Sequence, residues 1–401
     1  MKINRARVGV LAAILASAVV ATACSSTASP TTPSASGSTP SAASGSAPVT
    51  SASDTGAGSS SASAGAGSSA AADTSAAAGA STGFQGATSN PDCKTGHGTI
   101  GYIPKLGTDP YMVTVHKAAE AAAQATGGKV IYTSPNSATG AAQIPFINQL
   151  IAQKVCVIAM SGSDLNSSAA ALAKARAAGI KVMTWDSDIA AKSRSVFVNQ
   201  APTDLIGQQM LDSMENLLGS AGGEVAILST TPTAVNQNSW IATIQQQIKS
   251  NAKYQNIKIV KIAYGQEQAD VNTQQTQALI QAYPDLKGLI VPAGLGYPVA
   301  AKELAQEGKL GQIKITGLAP SSLIKQYILT GNAQDIWWNV TNLGTLSYYA
   351  AQALATGKIT GEQGQTFTAG SLGTFTVGAN GEVLLGKADT VTKANVNQFP
   401  F

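Results

Sequence analysis

The chain has 401 residues, with 25 Lys and Arg against 21 Asp and Glu, a formal charge of +4, and 11% charged residues in all. No basic run or basic helix stands out, so nothing in the charge pattern points to a nucleic-acid partner. Two histidines, three cysteines and no C-x-x-C or H-E-x-x-H spacing leave little material for a metal site or for acid–base chemistry near neutral pH.

The first stretch, MKINRARVGVLAAILASAVVATAC, has a basic start (Lys2, Arg5, Arg7), an apolar run from Val8 to Val20, and small residues before Cys24. It is too short and wrongly flanked for a spanning helix and reads as an export signal over residues 1–24. Its end, ATAC, resembles a bacterial lipobox, in which Cys24 is lipidated and anchors the chain to a bilayer. Ala21 stands where a larger aliphatic is usual, so a plain cleaved signal is the alternative. Residues 25–96 are dominated by Ser, Ala, Thr, Gly and Pro without apolar periodicity. Such a composition does not bury enough surface to offset ordering, and the segment reads as a disordered tether. GASTG at 79–83 matches a hydrolase elbow by composition alone, because no strand precedes it.

From residue 97 strands and helices alternate. GTIGYIPK (98–105) predicts a strand, and YMVTVHKAAEAAAQATG a helix stopped by Gly127 and Gly128. Strand KVIYTS, helix AAQIPFINQLIAQK, strand VCVIAMS, helix SSAAALAKARAAG and strand IKVMTWDSD follow. A second series runs GEVAILST, helix SWIATIQQQIKSN, KIVKIAYG, helix VNTQQTQALIQAY, GLIVPAG, helix YPVAAKELAQEG and IKITGLA. Near-continuous apolar strands, each followed by a helix, predict parallel sheets covered on both faces. The break near 197–207 predicts two similar α/β lobes rather than one wide sheet. Cys93, before the first strand, and Cys156, at the third, would be neighbours in such a sheet. A disulfide fits that placement in an exported protein; two unpaired thiols are the alternative.

Ligands of open α/β sheets bind beyond the carboxyl ends of the strands. Those ends carry Lys105; Ser161 and Asp164; Asp186 and Asp188; then, in the second lobe, Asn236, Gln237 and Asn238, and Pro292 to Gly294. The second-lobe ends read as amides without a carboxylate. His97, in the entry segment, and His116, on a helix among Val and Lys, read as surface or edge residues. Asp186 and Asp188 lie two apart on one strand end and point the same way, whereas a glycosidase needs carboxyls flanking the scissile bond, roughly 5–9.5 Å apart. A sugar site asks instead for a carboxylate accepting hydroxyls, planar amides, and a ring covering the apolar face of the ligand. Asp186, Asn236, Gln237, Asn339 and Trp338 suit those roles, although Asp and Asn after a strand also cap helices. Asp188 is expected to order its loop, and Trp185 to pack in the core.

IGYIPK, TWDSDIAAKSRSVFVNQ, NQNSW, YPDLKGLIVPAG, EVLLG and NVNQFPF, in this order, resemble the ribose-type (type I) periplasmic sugar-binding proteins of ABC importers. Within these, the chain is most similar to the rhamnose-binding and autoinducer-2-binding branch. The resemblance covers residues 97–401. It implies two Rossmann-like lobes with parallel sheets joined by three crossovers, 97–201 with 341–366 and 202–340 with 367–401, closing on ligand about a hinge. It maps Lys105 and Asp186 to ligand-contacting positions and Trp338–Asn339 to a crossover aromatic and its polar neighbour. Asn236–Gln237 stands where autoinducer-2 binders carry Asp–Gln, and Pro292, Ala293, Gly294 where they carry an acidic residue; NQN is the rhamnose-type pattern. The implied protein is a monomeric, cofactor-free, lipid-anchored capture protein serving a membrane permease, with no bond broken.

Overall fold

The computed structural model describes residues 90–399; the export signal, Cys24 and the tether up to residue 89 lie outside the described residues. The first half contains β1 (Thr99–Ile103), α1 (Pro110–Thr126), β2 (Lys129–Tyr132), α2 (Gly140–Ala152), β3 (Val157–Met160), α3 (Ala169–Ala177), β4 (Lys181–Trp185) and β5 (Val196–Asn199). The second contains α4 (Thr203–Leu218), β6 (Gly223–Ser229), α5 (Val235–Ser250), β7 (Ile257–Tyr264), α6 (Ala269–Ala282), β8 (Leu286–Val291), α7 (Gly296–Gln306), β9 (Lys314–Gly317), α8 (Ser321–Leu329) and β10 (Ala333–Trp337). The chain then returns through α9 (Val340–Thr356), the hairpin β11 (Thr366–Thr368) and β12 (Thr374–Thr376), β13 (Glu382–Leu384) and β14 (Asp389–Val391).

These form two sheets of like design, ordered β13-β5-β4-β3-β1-β2 and β14-β10-β9-β8-β6-β7. All pairings in the first are parallel, and β14 alone runs antiparallel, against β10, in the second. The central strands β3 and β5 are buried along their whole length, as strands covered by helices on both faces must be. Local signals agree with the fold. The Asp109 carboxylate accepts from the Tyr111 N–H as N-cap of α1, Pro110 occupies the first turn, and Gly127 closes the helix at φ +71°.

Among the described residues the chain passes between sheets three times. It crosses from β5 to α4, which packs on β8, β9 and β10; from β10 to α9, which packs on α1 and the first sheet; and from β13 to β14. The last crossing corrects the expected boundary, which assigned everything from 367 to the second lobe. Glu382, Val383 and Leu384 pair with Phe197, Val198 and Asn199, so the first sheet ends on a strand from the C-terminal segment. Asn199 Nδ2 donates to Glu382 at 2.8 Å, and Arg194 donates to the Asn380 carbonyl, fastening that strand. Cys93 and Cys156 form a disulfide, tying the entry segment to the start of β3 with Cα atoms 5.3 Å apart.

Candidate functional site

The strand ends of the two sheets face a common cleft with roughly 570 Å³ of space free of protein atoms, part of it open to solvent. On the first-lobe wall the chain leaves β1 through Pro104 and places the Lys105 ammonium 3.4 Å from Asp186 Oδ2. Both residues are buried, at 6% and 4% exposure, so each needs the other's charge. Ser161 Oγ donates to the same carboxylate oxygen at 2.8 Å. Asp186 itself sits at φ +61°, and the Ser187 N–H closes back onto the Trp185 carbonyl at 2.6 Å. That is a three-residue turn in the left-handed region, which a β-carbon disfavours and which native folds keep where it aims a functional side chain.

Behind this wall Gln143, fully buried on α2, donates to the Pro104 and Ser161 carbonyls and accepts from the Ser163 N–H. It therefore clamps the ends of β1 and β3 together. Nothing in the strand pattern pointed to it, because a glutamine in an apolar helix reads as a surface position until the burial is known.

The second-lobe wall differs from its expected layout in two ways. First, α5 begins at Val235, so Asn236, Gln237 and Asn238 occupy its first turn rather than a loop. Asn236 Oδ1 accepts from Lys105 Nζ at 2.9 Å across the cleft. Gln237 lines the cleft, but its amide is engaged: Oε1 accepts from Ser229 Oγ and the Thr230 N–H, and Nε2 donates to Thr230 Oγ1. Asn238 turns away and donates to the Pro232 carbonyl. Second, the wall does carry a carboxylate. Glu267, after β7, is 7% exposed, lines the cleft and accepts from Thr230 Oγ1 at 2.7 Å. The expectation of amides alone failed because the turn Gln266–Glu267–Gln268 reads as a polar loop. Its identifying signal is conformational: Gln266 and Glu267 stand at φ +55° and +53°.

Asp109 and Tyr111 complete the polar lining from the first lobe. Burial raises the Asp109 carboxyl well above its ordinary range, and Glu267 adds to that; burial also raises Glu267, against the hydrogen bond from Thr230. The Tyr111 hydroxyl, raised by burial and by Asp186, accepts from Trp338 Nε1 at 3.2 Å. The two rings meet edge to face at 87°. Trp338, Trp240, Met112, Leu318 and Ile336 make the apolar part of the wall, with Pro292 and Gly294 at the end of β8.

Three more expected site residues, besides Asn238, do other work. Asp164 Oδ1 accepts from the Asn166 and Ser167 N–H groups and from Ser167 Oγ, a turn cap away from the cleft. Asn339 is the N-cap of α9, accepting from the Asn342 N–H. Ser161 does not line the cleft and acts through Asp186. Asp188 accepts from Thr184 and pairs with Arg194, and Trp185 is fully buried against Tyr102. His116 stacks on Tyr132 at 3.9 Å, with burial lowering its basicity. Among the described residues no cluster of His, Cys, Asp and Glu could hold a metal ion.

A model of the periplasmic binding protein domain matches residues 100–359, most of the two-lobed body. The chain belongs to that family. This periplasmic binding protein is 34% identical to a sugar ABC transporter from Actinomyces odontolyticus, over 76% of its own length and 98% of the other, with a TM-score of 0.61. A solute-binding protein of an ABC transporter from Clostridium phytofermentas, solved with bound L-rhamnose, is 33% identical over 75% and 97% of the two chains, with a TM-score of 0.72. LsrB from Clostridium saccharobutylicum, solved with AI-2, is 26% identical over 76% and 100%, with a TM-score of 0.70.

Proposed function

We propose that this periplasmic binding protein captures a small sugar, a rhamnose-like deoxyhexose, between its lobes and presents it to the permease of an ABC importer. The observation that carries the reading is the Asp186–Lys105–Asn236 contact, in which one ammonium bridges both walls at 3.4 and 2.9 Å. A ligand hydroxyl placed there meets a charged donor, a charged acceptor and an amide at once. The wall of Met112, Leu318, Ile336 and Trp338 suits the methyl group and C–H face of a deoxy sugar. Asn236, neutral where autoinducer-2 binders carry Asp, favours rhamnose over AI-2. The greater identity to the rhamnose-bound relative agrees with this. Lipidation of Cys24 would hold the protein on the outer face of the cytoplasmic membrane.

Carboxyls on both walls, Glu267 against Asp109 and Asp186, keep a sugar-hydrolysing reading open to test. We hold that the protein binds without reaction, because Lys105 neutralises Asp186 rather than leaving it to attack. A thermal-shift screen of residues 90–401 against monosaccharides and AI-2 tests the assignment. A ligand at a thousand times its dissociation constant adds ~4 kcal/mol. Rhamnose should give the largest shift and be recovered unchanged; no shift with any sugar, or hydrolysis of a labelled glycoside, overturns the reading.

A further inference from the structure

We propose that Glu267 is a ligand-contacting residue that sets specificity, its Oε2 meeting one hydroxyl of a neutral polyol opposite Asp109. The inference rests on the reading of the cleft as a sugar site and adds to it a residue, a ligand charge and a point of discrimination.

Four observations carry it. Glu267 lines the cleft while 7% exposed, so its carboxyl is removed from bulk water. Oε1 is taken by Thr230 Oγ1, whereas Oε2 is buried and, among the described residues, has no hydrogen-bond partner. A buried carboxyl oxygen without a partner is costly, and a ligand hydroxyl removes that cost. The side chain is also braced. Gln237 donates to Thr230 Oγ1, Thr230 donates to Glu267, and the Leu295 N–H at the start of α7 favours the carboxylate. Lastly, two successive non-glycine residues, Gln266 and Glu267, hold left-handed backbone at this point. Such strain persists where surrounding structure enforces a useful orientation.

The surroundings fix the ligand's charge. Facing Glu267 are Asp109 and Asp186 from the first lobe, with Lys105 between the walls. One ammonium among three carboxyls attracts no anion, so sugar acids and sugar phosphates are rejected. Asp109 lies close to the second lobe: a β-carbon on Gly294 would stand 3.5 Å from its Oδ1. Asp109 and Glu267 thus meet where the lobes approach. Burial raises both carboxyls, Glu267 raises Asp109 further and Asp186 raises Glu267, so one of the pair can keep a proton and donate while the other accepts. A hydroxyl, which donates and accepts, satisfies such a pair in a way a methyl or a carboxylate does not.

The test is a calorimetric titration of wild type and Glu267→Gln with L-rhamnose, with its epimers and mono-deoxy analogues, and with galacturonate. Glu267→Gln keeps shape and the acceptor for Thr230 but changes what Oε2 presents. We expect ~10-fold or greater loss of affinity for the preferred sugar. At least one mono-deoxy analogue should bind the variant as well as the parent sugar does, which identifies the hydroxyl in question. Galacturonate should not bind wild type. Equal affinities of wild type and variant, undiminished discrimination among deoxy analogues, or tight galacturonate binding each overturn this proposal and leave the sugar-capture reading standing. Failure of wild type to bind any sugar overturns both. Should Glu267→Gln not fold, Thr230→Val, which releases Oε1 from its brace, must weaken binding in the same direction; unchanged affinity there counts against the proposal.

Discussion

Lys105 Nζ in the first lobe lies 2.9 Å from Asn236 Oδ1 in the second, while it also pairs with Asp186 on its own wall. The lysine is therefore neutralised within one lobe and donates across the cleft with a remaining N–H. This arrangement separates closure from folding. Asn236→Ala removes the acceptor across the cleft and leaves the buried ion pair whole. Sugar affinity should fall by about 10-fold or more, the usual worth of a hydrogen bond to a charged group. The melting point without sugar should barely move. Titration calorimetry beside thermal unfolding checks both; a large loss of unliganded stability would show that the contact is structural.

Asp186 is held at φ +61°, where a β-carbon is a burden. Asp186→Ala keeps that burden and leaves Lys105 buried without its carboxylate, so the unliganded protein should be destabilised as well as unable to bind. Asp186→Gly also abolishes binding but relieves the backbone, and should be more stable than Asp186→Ala by ~1 kcal/mol. Denaturant melts of the two variants measure the difference. An alanine variant as stable as the glycine one would contradict the strained-turn account.

Asp109 and Glu267 are raised above their ordinary 3.8 and 4.5, chiefly by burial. In the unfolded chain both ionise near those values; in the folded protein they hold their protons to higher pH. The stability they contribute is therefore complete below the unfolded values and is lost as pH rises through the folded ones. Unliganded protein should melt at a lower temperature at pH 7 than at pH 5, and the double variant Asp109→Asn, Glu267→Gln should flatten that slope. Asparagine still caps α1, so the helix start survives. Asp164, lowered chiefly by the hydrogen bond from Ser167, acts in the opposite sense and only below about 3.8. A slope unchanged in the double variant would remove these two carboxyls from the explanation.

The disulfide joins Cys93 to Cys156 across 63 positions of sequence. Closing a loop of that length restricts the unfolded chain by about 4 kcal/mol in the chain-entropy account. The double variant Cys93→Ser, Cys156→Ser should lose ~2–4 kcal/mol of stability while binding sugar normally, because the bridge lies at the amino end of β3 and the cleft at its carboxyl end. Denaturant unfolding and calorimetry give the two numbers, and a matching loss of affinity would show that the two ends of the sheet are coupled.

Much of this architecture was legible in the chain. Buried parallel strands need continuous apolar runs, and the helices between them carry caps and stops such as Asp109 and Gly127. Lys105 and Asp186 were visible as cleft residues because the carboxyl ends of the strands face the cleft. Asn236 was visible for the same reason, although α5 starts earlier than its apolar pattern suggests. The short strands β13 and β14 were not legible, since three residues set no period, and the lobe boundary was misplaced with them. Glu267 escaped because its significance lies in a backbone angle and a buried oxygen, neither of which has a spacing. Asp164, Asn238 and Asn339 show the converse: a polar residue beside a strand or helix end satisfies backbone as readily as ligand, and composition does not separate the two.

The late strands β13 and β14 have a bearing on biogenesis. One closes the edge of the first sheet and the other the edge of the second, and both are encoded after residue 381. Synthesis must thus pass residue 381 before either layer has its full complement of strands. Both sheets therefore keep an open edge until the same late segment is made, and a chain cut short before it would leave β5 and β10 without their outer neighbours.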